Sequence, residues 1–467
     1  MFQMNRRGFM KGATATTALL SVGGCVSAPK LKSPNEKLNI GVIGVGGKGW
    51  SDWTPMFNHG ENIVALCDVD RGPVDRALEE IRKKGGNPNQ VKCYSDYRKM
   101  LDECGDKLDV CTVSTPDHTH APAAIRAMKL GCHVYVQKPL VRTIWEARYF
   151  EKVARKQGVI TQMGNQGSAD NGLRRNVEVL RRGVIGNITE VHVWTNRPIW
   201  PQGISRPEGE DPVPETLDWD SWIGTAPFRP YKKDVYHTFK WRGFFDFGTG
   251  AFGDMACHTM NVPFRGLELG AVEWAECKTI EGKNNDTYPS KSVVQLHYAA
   301  RRGKPAVDLF WYDGNLKPDP DKMPRAEIMS QINASLGKIP NTGCLIIGDK
   351  GIMVSENDYG AVAYVALKGE EKMKVVGKHE ACSIDVIPEF LPRAKAGHYI
   401  EFVNACKGEE KTFSDIDVSV PMLEGMLVGC IAQQVPGKLT WNTAKMAFDN
   451  PEATKLVRQE VRKGWEF

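Results

Sequence analysis

The feature that most constrains this chain is the turn Gly44-Val45-Gly46-Gly47-Lys48-Gly49, which ends an apolar run over residues 38–43. A short buried stretch that runs into glycines and then into a helical segment is how a dinucleotide-binding fold begins. Gly44 permits the tight turn, Gly46 lets the backbone approach a pyrophosphate, and Gly49 allows close helix packing, while the helix N-terminus offers free N–H groups to the anion. Gly44, Gly46, Gly47 and Gly49 are therefore candidate cofactor contacts. The pattern gains weight from Asp68, which follows a second apolar run over residues 62–67 at about the 20-residue spacing such folds use. Asp68 can accept hydrogen bonds from both ribose hydroxyls, and its charge repels a 2′-phosphate. NAD is favoured on that ground, and Arg71 keeps NADP open.

Further buried strands are expected over residues 108–113 and 133–136, with helical spacing over 73–84 and 121–130. This alternation predicts a doubly wound parallel sheet. Beyond about residue 160 the texture changes to alternating stretches at 188–195, 271–280, 292–298, 306–312, 344–347 and 361–367, which suit one large, mainly antiparallel sheet. The expected fold is α/β: a Rossmann domain over 38–160 and a C-terminal α+β domain over 161–467 for substrate binding and oligomerisation. One face of its open sheet would carry helices, and the other would be free for a partner subunit. Helical stretches at 398–407 and 416–434 are expected to pack back on the rest. A chain of 467 residues is long for a single core, in keeping with two domains.

The net charge of +5 is spread along the chain, and pairs such as Arg174-Arg175 and Arg181-Arg182 suit solvated helix faces, so no nucleic-acid partner is expected. The first residues differ. Asn5-Arg6-Arg7-Gly8-Phe9-Met10-Lys11 followed by a small, apolar run to Gly24 matches a twin-arginine export signal over residues 1–28, with a polar linker over 29–37. Val22-Gly23-Gly24-Cys25 resembles a lipoprotein cleavage site, so an acylated Cys25 would tether the chain to the cell envelope. A periplasmic or envelope location is expected. The other cysteines form no CxxC and point to neither a zinc site nor a disulfide framework.

Two blocks carry a resemblance to a known family. Ser114-Thr115-Pro116-Asp117-His118-Thr119-His120 and His133-Val134-Tyr135-Val136-Gln137-Lys138-Pro139 resemble the TPDHxH turn and EKP motif of the Gfo/Idh/MocA oxidoreductases, the glucose-fructose oxidoreductase and inositol dehydrogenase type. The resemblance implies that Lys138 is the catalytic lysine beside the nicotinamide, and that Thr115, Pro116, His118, His120 and Gln166 lie near the cofactor. Gln137 stands where most members have Glu, which removes a carboxylate that could hold up the lysine pKa. His118 and His120 lack a third ligand, and no metal site is expected.

The second block, residues 241–258, is similar to the family's glycine-rich entry to a helix bearing DxxxH. Asp254 and His258 are four apart and share a helix face. His258 would take the hydroxyl proton, and Asp254 would orient and charge-stabilise that imidazole. Lys138, Asp254 and His258 are the candidate catalytic residues. Asn165, Arg197, Trp200, Trp241 and Arg242 join them as candidate substrate contacts, a Trp face being able to stack on a sugar ring. Asn261, where many members have Asp, argues against a third acidic group. The resemblance implies an NAD(P)-dependent sugar or cyclitol oxidoreductase that forms a dimer or tetramer. Free NAD is scarce outside the cytoplasm, so an exported enzyme would hold its cofactor tightly. Two other readings stand beside it: an NAD-dependent glycosidase working by transient oxidation, and a sugar-binding lipoprotein without catalysis.

Overall fold

The computed structural model describes residues 31–301, 303–318 and 326–467. The expected export signal, Cys25 and the first residues of the linker lie outside them. Six parallel strands form the first sheet: β1 (Asn39–Ile43), β2 (Asn62–Cys67), β3 (Lys92–Tyr94), β4 (Val110–Val113), β5 (His133–Val136) and β6 (Thr161–Met163). Their order, β3-β2-β1-β4-β5-β6, reverses direction between β1 and β4, where open α/β sheets bind ligands. β4 and β5 are buried at every position, as strands covered by helices on both faces must be.

The helices between them are α1 (Lys48–Asn58), α2 (Arg71–Lys83), α3 (Tyr97–Cys104), α4 (Asp117–Lys129) and α5 (Ile144–Gln157). Local chemistry sets their ends. The Asp70 carboxylate caps α2 by accepting from Gly72 N, and α5 opens with a reciprocal Thr143–Glu146 capping box and closes on left-handed Gly158.

The second domain adds α6 (Asn171–Arg181), β7 (Ile188–Trp194), α7 (Trp219–Ile223), α8 (Gly250–Thr259), α9 (Asn261–Leu267), β8 (Val272–Glu281), β9 (Lys291–Tyr298), β10 (Val307–Tyr312), α10 (Ala326–Leu336), β11 (Gly343–Gly348), β12 (Gly351–Ser355), β13 (Ala363–Leu367) and β14 (Lys374–Val375). The chain ends with α11 (His398–Cys406), α12 (Ile416–Ala432), β15 (Lys438–Asn442), β16 (Ala447–Phe448) and α13 (Pro451–Lys455). The ten-stranded sheet runs β14-β13-β12-β11-β7-β10-β9-β8-β15-β16. Its pairs are antiparallel except β7 with β10, so the sheet is mixed but mostly antiparallel.

One continuous core joins the domains. Ala124 and Val134 of the first pack in the same cluster as Val193, Leu296 and Met426 of the second. Across the Rossmann sheet, Phe402 and Val403 of α11 pack with Trp53, Val42 and Tyr135. The outer face of the large sheet is not left wholly to a partner: Met329 and Ile332 of α10 pack on Trp194, Leu345 and Val354. No helix of the described residues is long and apolar enough to cross a membrane.

Candidate active site

A cleft of about 740 Å³ runs from the glycine turn, past the C-terminal ends of β1 and β4, to α8. At its floor, β1 passes into Gly44 with φ +82°, and a Cβ at Gly49 would lie only 2.0 Å from the Gly44 carbonyl oxygen. Glycine is required at both positions. α1 begins at Lys48 with no side-chain cap, so its first N–H groups are open to an anion. A Cβ at Gly47 would meet nothing within 4 Å, so the space over the turn is clear. The residues present therefore fit a dinucleotide pyrophosphate.

Asp68 lies in the cleft, but its carboxylate is partly spent. Oδ2 accepts from Val45 N at 2.9 Å and Gly46 N at 3.1 Å, and Oδ1 from Asp70 N at 3.0 Å. A carboxylate has about four acceptor positions, so one remains for a ribose hydroxyl rather than the two expected. Burial raises its pKa against these three N–H bonds. Arg71 turns outward onto Asp75 at 2.7 Å, and the arginine of α2 that lines the cleft is Arg76.

Lys138 follows β5 and reaches α8. Its Nζ donates to Asp254 Oδ2 at 3.0 Å and to the Asp254 carbonyl at 3.1 Å, which leaves one of three ammonium N–H groups uncommitted. Arg242 Nε donates to Asp254 Oδ1 at 3.1 Å. Burial alone would raise the Asp254 pKa, but Lys138 and Arg242 outweigh it and hold the carboxyl below its ordinary value. Asp254 thus serves the two cations. His258 stands edge-on to the Tyr359 ring, 5.1 Å between centroids, and its Nδ1 is buried without a hydrogen-bond partner. Sharing a helix face placed Asp254 and His258 in one cleft, but the nearer cations took the carboxylate. Burial, then Lys138, push the His258 pKa well below its ordinary value, so the ring is neutral near pH 7.

The TPDHxH segment departs further from expectation. α4 starts at Asp117, four residues before the expected 121, so both histidines occupy its first turn. Each is almost wholly buried, and neither lines the cleft. His118 Nε2 lies 3.0 Å from Trp222 O; His120 Nδ1 and Nε2 lie 2.7 and 2.9 Å from Pro139 O and Thr115 O. A neutral imidazole donates to only one of two acceptors, and burial pushes His120 down to about 4. The His120 ring braces the loops carrying Thr115, Pro116 and Lys138, and the His118 ring braces Trp222, all of which do line the cleft. Asp117 beneath them accepts from Thr249 Oγ at 2.9 Å, and burial, with Asp254 nearby, pushes it up to about 7.

Arg197, Trp200, Trp241, Arg242 and Gln166 also line the cleft. Arg242 is set among the rings of Trp241, Phe239 and Trp200, 4.3, 4.5 and 5.8 Å from their centroids. Asn165 is buried behind the cleft and donates to Cys257 O at 3.2 Å, so the expected substrate contact is instead a brace on α8. Sequence reasoning missed the walls supplied by His237, Thr238 and Phe239, and by Asp358 and Tyr359 between β12 and β13. Gln166 Nε2 donates to Tyr359 OH at 3.2 Å, closing that wall across the domains.

Residues 38–165 match the oxidoreductase family's NAD-binding Rossmann fold, and residues 187–265 match its C-terminal alpha/beta domain. Among curated proteins, a glycosyl hydrolase family 109 protein of Shewanella sp. (strain ANA-3) is 32% identical over 210 residues, 40% of this chain and 45% of that protein. An alpha-N-acetylgalactosaminidase of Shewanella oneidensis is 35% identical over 167 residues, 31% of this chain and 36% of that one. The matched stretch thus spans less than half of these relatives. The fold resembles the WlbA dehydrogenase of Bordetella pertussis, solved with NADH and UDP-GlcNAcA, at TM-score 0.58 and 16% identity over 87% of this chain and 99% of that one. It also resembles an inositol dehydrogenase homolog of Azotobacter vinelandii, solved with NADH and myo-inositol, at TM-score 0.56 and 16% identity over 89% and 99%. Through these two matched stretches, one in each domain, the chain is similar to the Gfo/Idh/MocA oxidoreductase family.

Proposed function

We propose that this protein is an NAD-dependent oxidoreductase acting on a secondary hydroxyl of a sugar or cyclitol, with the nucleotide held through turnover. The observation that carries the reading is the single cleft in which the open glycine turn meets Lys138, Asp254 and His258. NAD, when bound, supplies a hydride acceptor at its nicotinamide ring. The free N–H of Lys138 donates to the reacting oxygen, and Asp254 keeps that ammonium aimed by holding its other two donors. His258, neutral because it is buried, accepts the hydroxyl proton. Trp200, Trp241 and Arg242 orient the sugar, with the indole faces covering its apolar side. Asp68 favours NAD over NADP through its charge.

A second reading, hydrolysis of glycosides by the same site, is favoured by the named relatives of glycosyl hydrolase family 109. Oxidation of a ring hydroxyl acidifies the neighbouring C–H, so a base can remove that proton and expel the glycosidic oxygen. Water addition and reversal of the oxidation then complete hydrolysis without net redox. We further propose twin-arginine export to the periplasm or envelope, a tether at Cys25, and a homodimer or homotetramer.

Purified protein incubated with aryl glycosides and free sugars, without added nucleotide, tests both. A ketosugar or sugar alcohol supports the first reading and released aglycone the second. No product from either substrate class contradicts both.

A further inference from the structure

Gln137 leaves the active-site strand without a carboxylate next to Lys138, yet a carboxylate is present in space. Asp52, in the second turn of α1, is fully buried. Gln137 Nε2 donates to both its oxygens, at 3.1 and 3.0 Å. Ser114 Oγ, at the end of β4, donates to Oδ2 at 2.8 Å, and Lys48 Nζ, at the glycine turn, donates to Oδ1 at 2.6 Å. Lys48 is itself held by Tyr399 OH at 2.9 Å. One buried charge therefore ties together the ends of β1, β4 and β5.

The orientation of Gln137 follows from this. A carboxamide has one acceptor and one donor end, and a carboxylate accepts only. Asp52 forces the NH₂ toward itself, and the oxygen is left to accept from Lys138 N at 3.1 Å. Gly164 packs closely on this carboxamide: a Cβ there would lie 2.6 Å from Gln137 Nε2 and 2.8 Å from its Cδ. The amide that fixes the backbone of Lys138 is thus aimed by a residue 85 positions before it in the chain.

We propose that Asp52 is a positioning residue for Lys138, acting through the Gln137 carboxamide and supplying from α1 the negative charge that position 137 lacks. This rests on the reading of Lys138 as the lysine of the reacting site. If it holds, the charge can be moved back. In Asp52→Asn the neutral amide no longer dictates which way Gln137 points. When Asp52→Asn is combined with Gln137→Glu, the new carboxylate at position 137 accepts both from the amide introduced at position 52 and from Lys138 N.

Amide hydrogen exchange on the nucleotide-stripped full chain reads the Lys138 N–H directly, alongside the dissociation constant for NAD and steady-state kinetics on the reloaded enzyme. Asp52→Asn should lose at least tenfold in Lys138 amide protection while residues 133–136 keep theirs. Its kcat should fall at least tenfold, with KM and the NAD dissociation constant within threefold. The double variant should return to within threefold of the parent in protection and kcat. Gly164→Ala, which pushes on the same carboxamide, should reproduce the protection loss if Asp52→Asn folds poorly. Unchanged Lys138 protection in both Asp52→Asn and Gly164→Ala, equal loss across 133–136, or a double variant no better than Asp52→Asn would each overturn the proposal. A parent that turns over no sugar would sink the oxidoreductase reading and leave the exchange comparison standing.

Discussion

Replacing Asp254 by Asn removes one charge from between two cations and keeps the side-chain shape. Its oxygens lie 3.0 Å from Lys138 Nζ and 3.1 Å from Arg242 Nε, each contact worth about 5 kcal/mol of gross attraction at an effective dielectric of 20. Desolvation cancels much of that in the intact site, but removing one partner of a buried pair costs about 3–5 kcal/mol. Lys138 and Arg242 keep 14% and 19% of their side-chain exposure, so the lower figure applies. About 3 kcal/mol of lost positioning is roughly a hundredfold in rate. Asp254→Asn should therefore lower kcat/KM about a hundredfold, while affinity for NAD, measured by titration calorimetry, changes less than threefold. The carboxylate touches neither the glycine turn nor Asp68. A variant that keeps kcat/KM within threefold, or that loses nucleotide affinity in step with turnover, would refute this account of the pair.

Gly49→Ala places a methyl group against the Gly44 carbonyl. Overpacking of about 1–3 kcal/mol should weaken NAD binding about tenfold or more in the same calorimeter, and undiminished binding would contradict the turn as pyrophosphate seat. Asp68→Ala frees the Val45 and Gly46 amides and removes the charge facing a 2′-phosphate, so the NAD-over-NADP affinity ratio should fall about tenfold; an unchanged ratio would remove Asp68 from cofactor choice. For His258 the folded-state pKa is depressed, so its ring binds no proton in the window between that value and the ordinary one of about 6.5. Histidine-labelled NMR should show its ring signals fixed from pH 8 to pH 5, and a midpoint near 6.5 would show that burial does not control it.

The legible part of the fold was what local pattern dictates. Glycines at 44 and 49 announce a turn because sterics there admit nothing larger, and the mainly apolar runs of β1, β2, β4 and β5 announce strands covered on both sides. α8 was implied by the resemblance at residues 241–258, and on such a helix a spacing of four puts Asp254 and His258 on one face. Periodicity reports which residues share a face, not which partner wins a charge. Asp254 therefore went to Lys138 and Arg242, from sites 116 residues upstream and 12 residues upstream of it. The TPDHxH histidines were misplaced because the helix starts at Asp117, where an acid favours the N-terminus, and that start turns both rings inward. β3 and β6 are three residues each, too short to carry an alternation. The walls built from residues 237–239, between α7 and α8, and from residues 358–359, between β12 and β13, belong to connecting segments that carry no periodicity. Asp52 in α1 gave no signal at all: a lone acid on a helix reads as solvated until Gln137 and Ser114 close over it.

The central claim is that the glycine turn holds a nicotinamide dinucleotide against Lys138 and His258. The ultraviolet spectrum and mass of the nucleotide that co-purifies with the protein, recorded before and after adding a series of sugars and cyclitols, test it most directly. One NAD per chain is expected, its reduced-nicotinamide absorbance rising or falling with at least one of them. Protein that takes up no dinucleotide, or a bound dinucleotide whose oxidation state no sugar, cyclitol or glycoside alters, would contradict it.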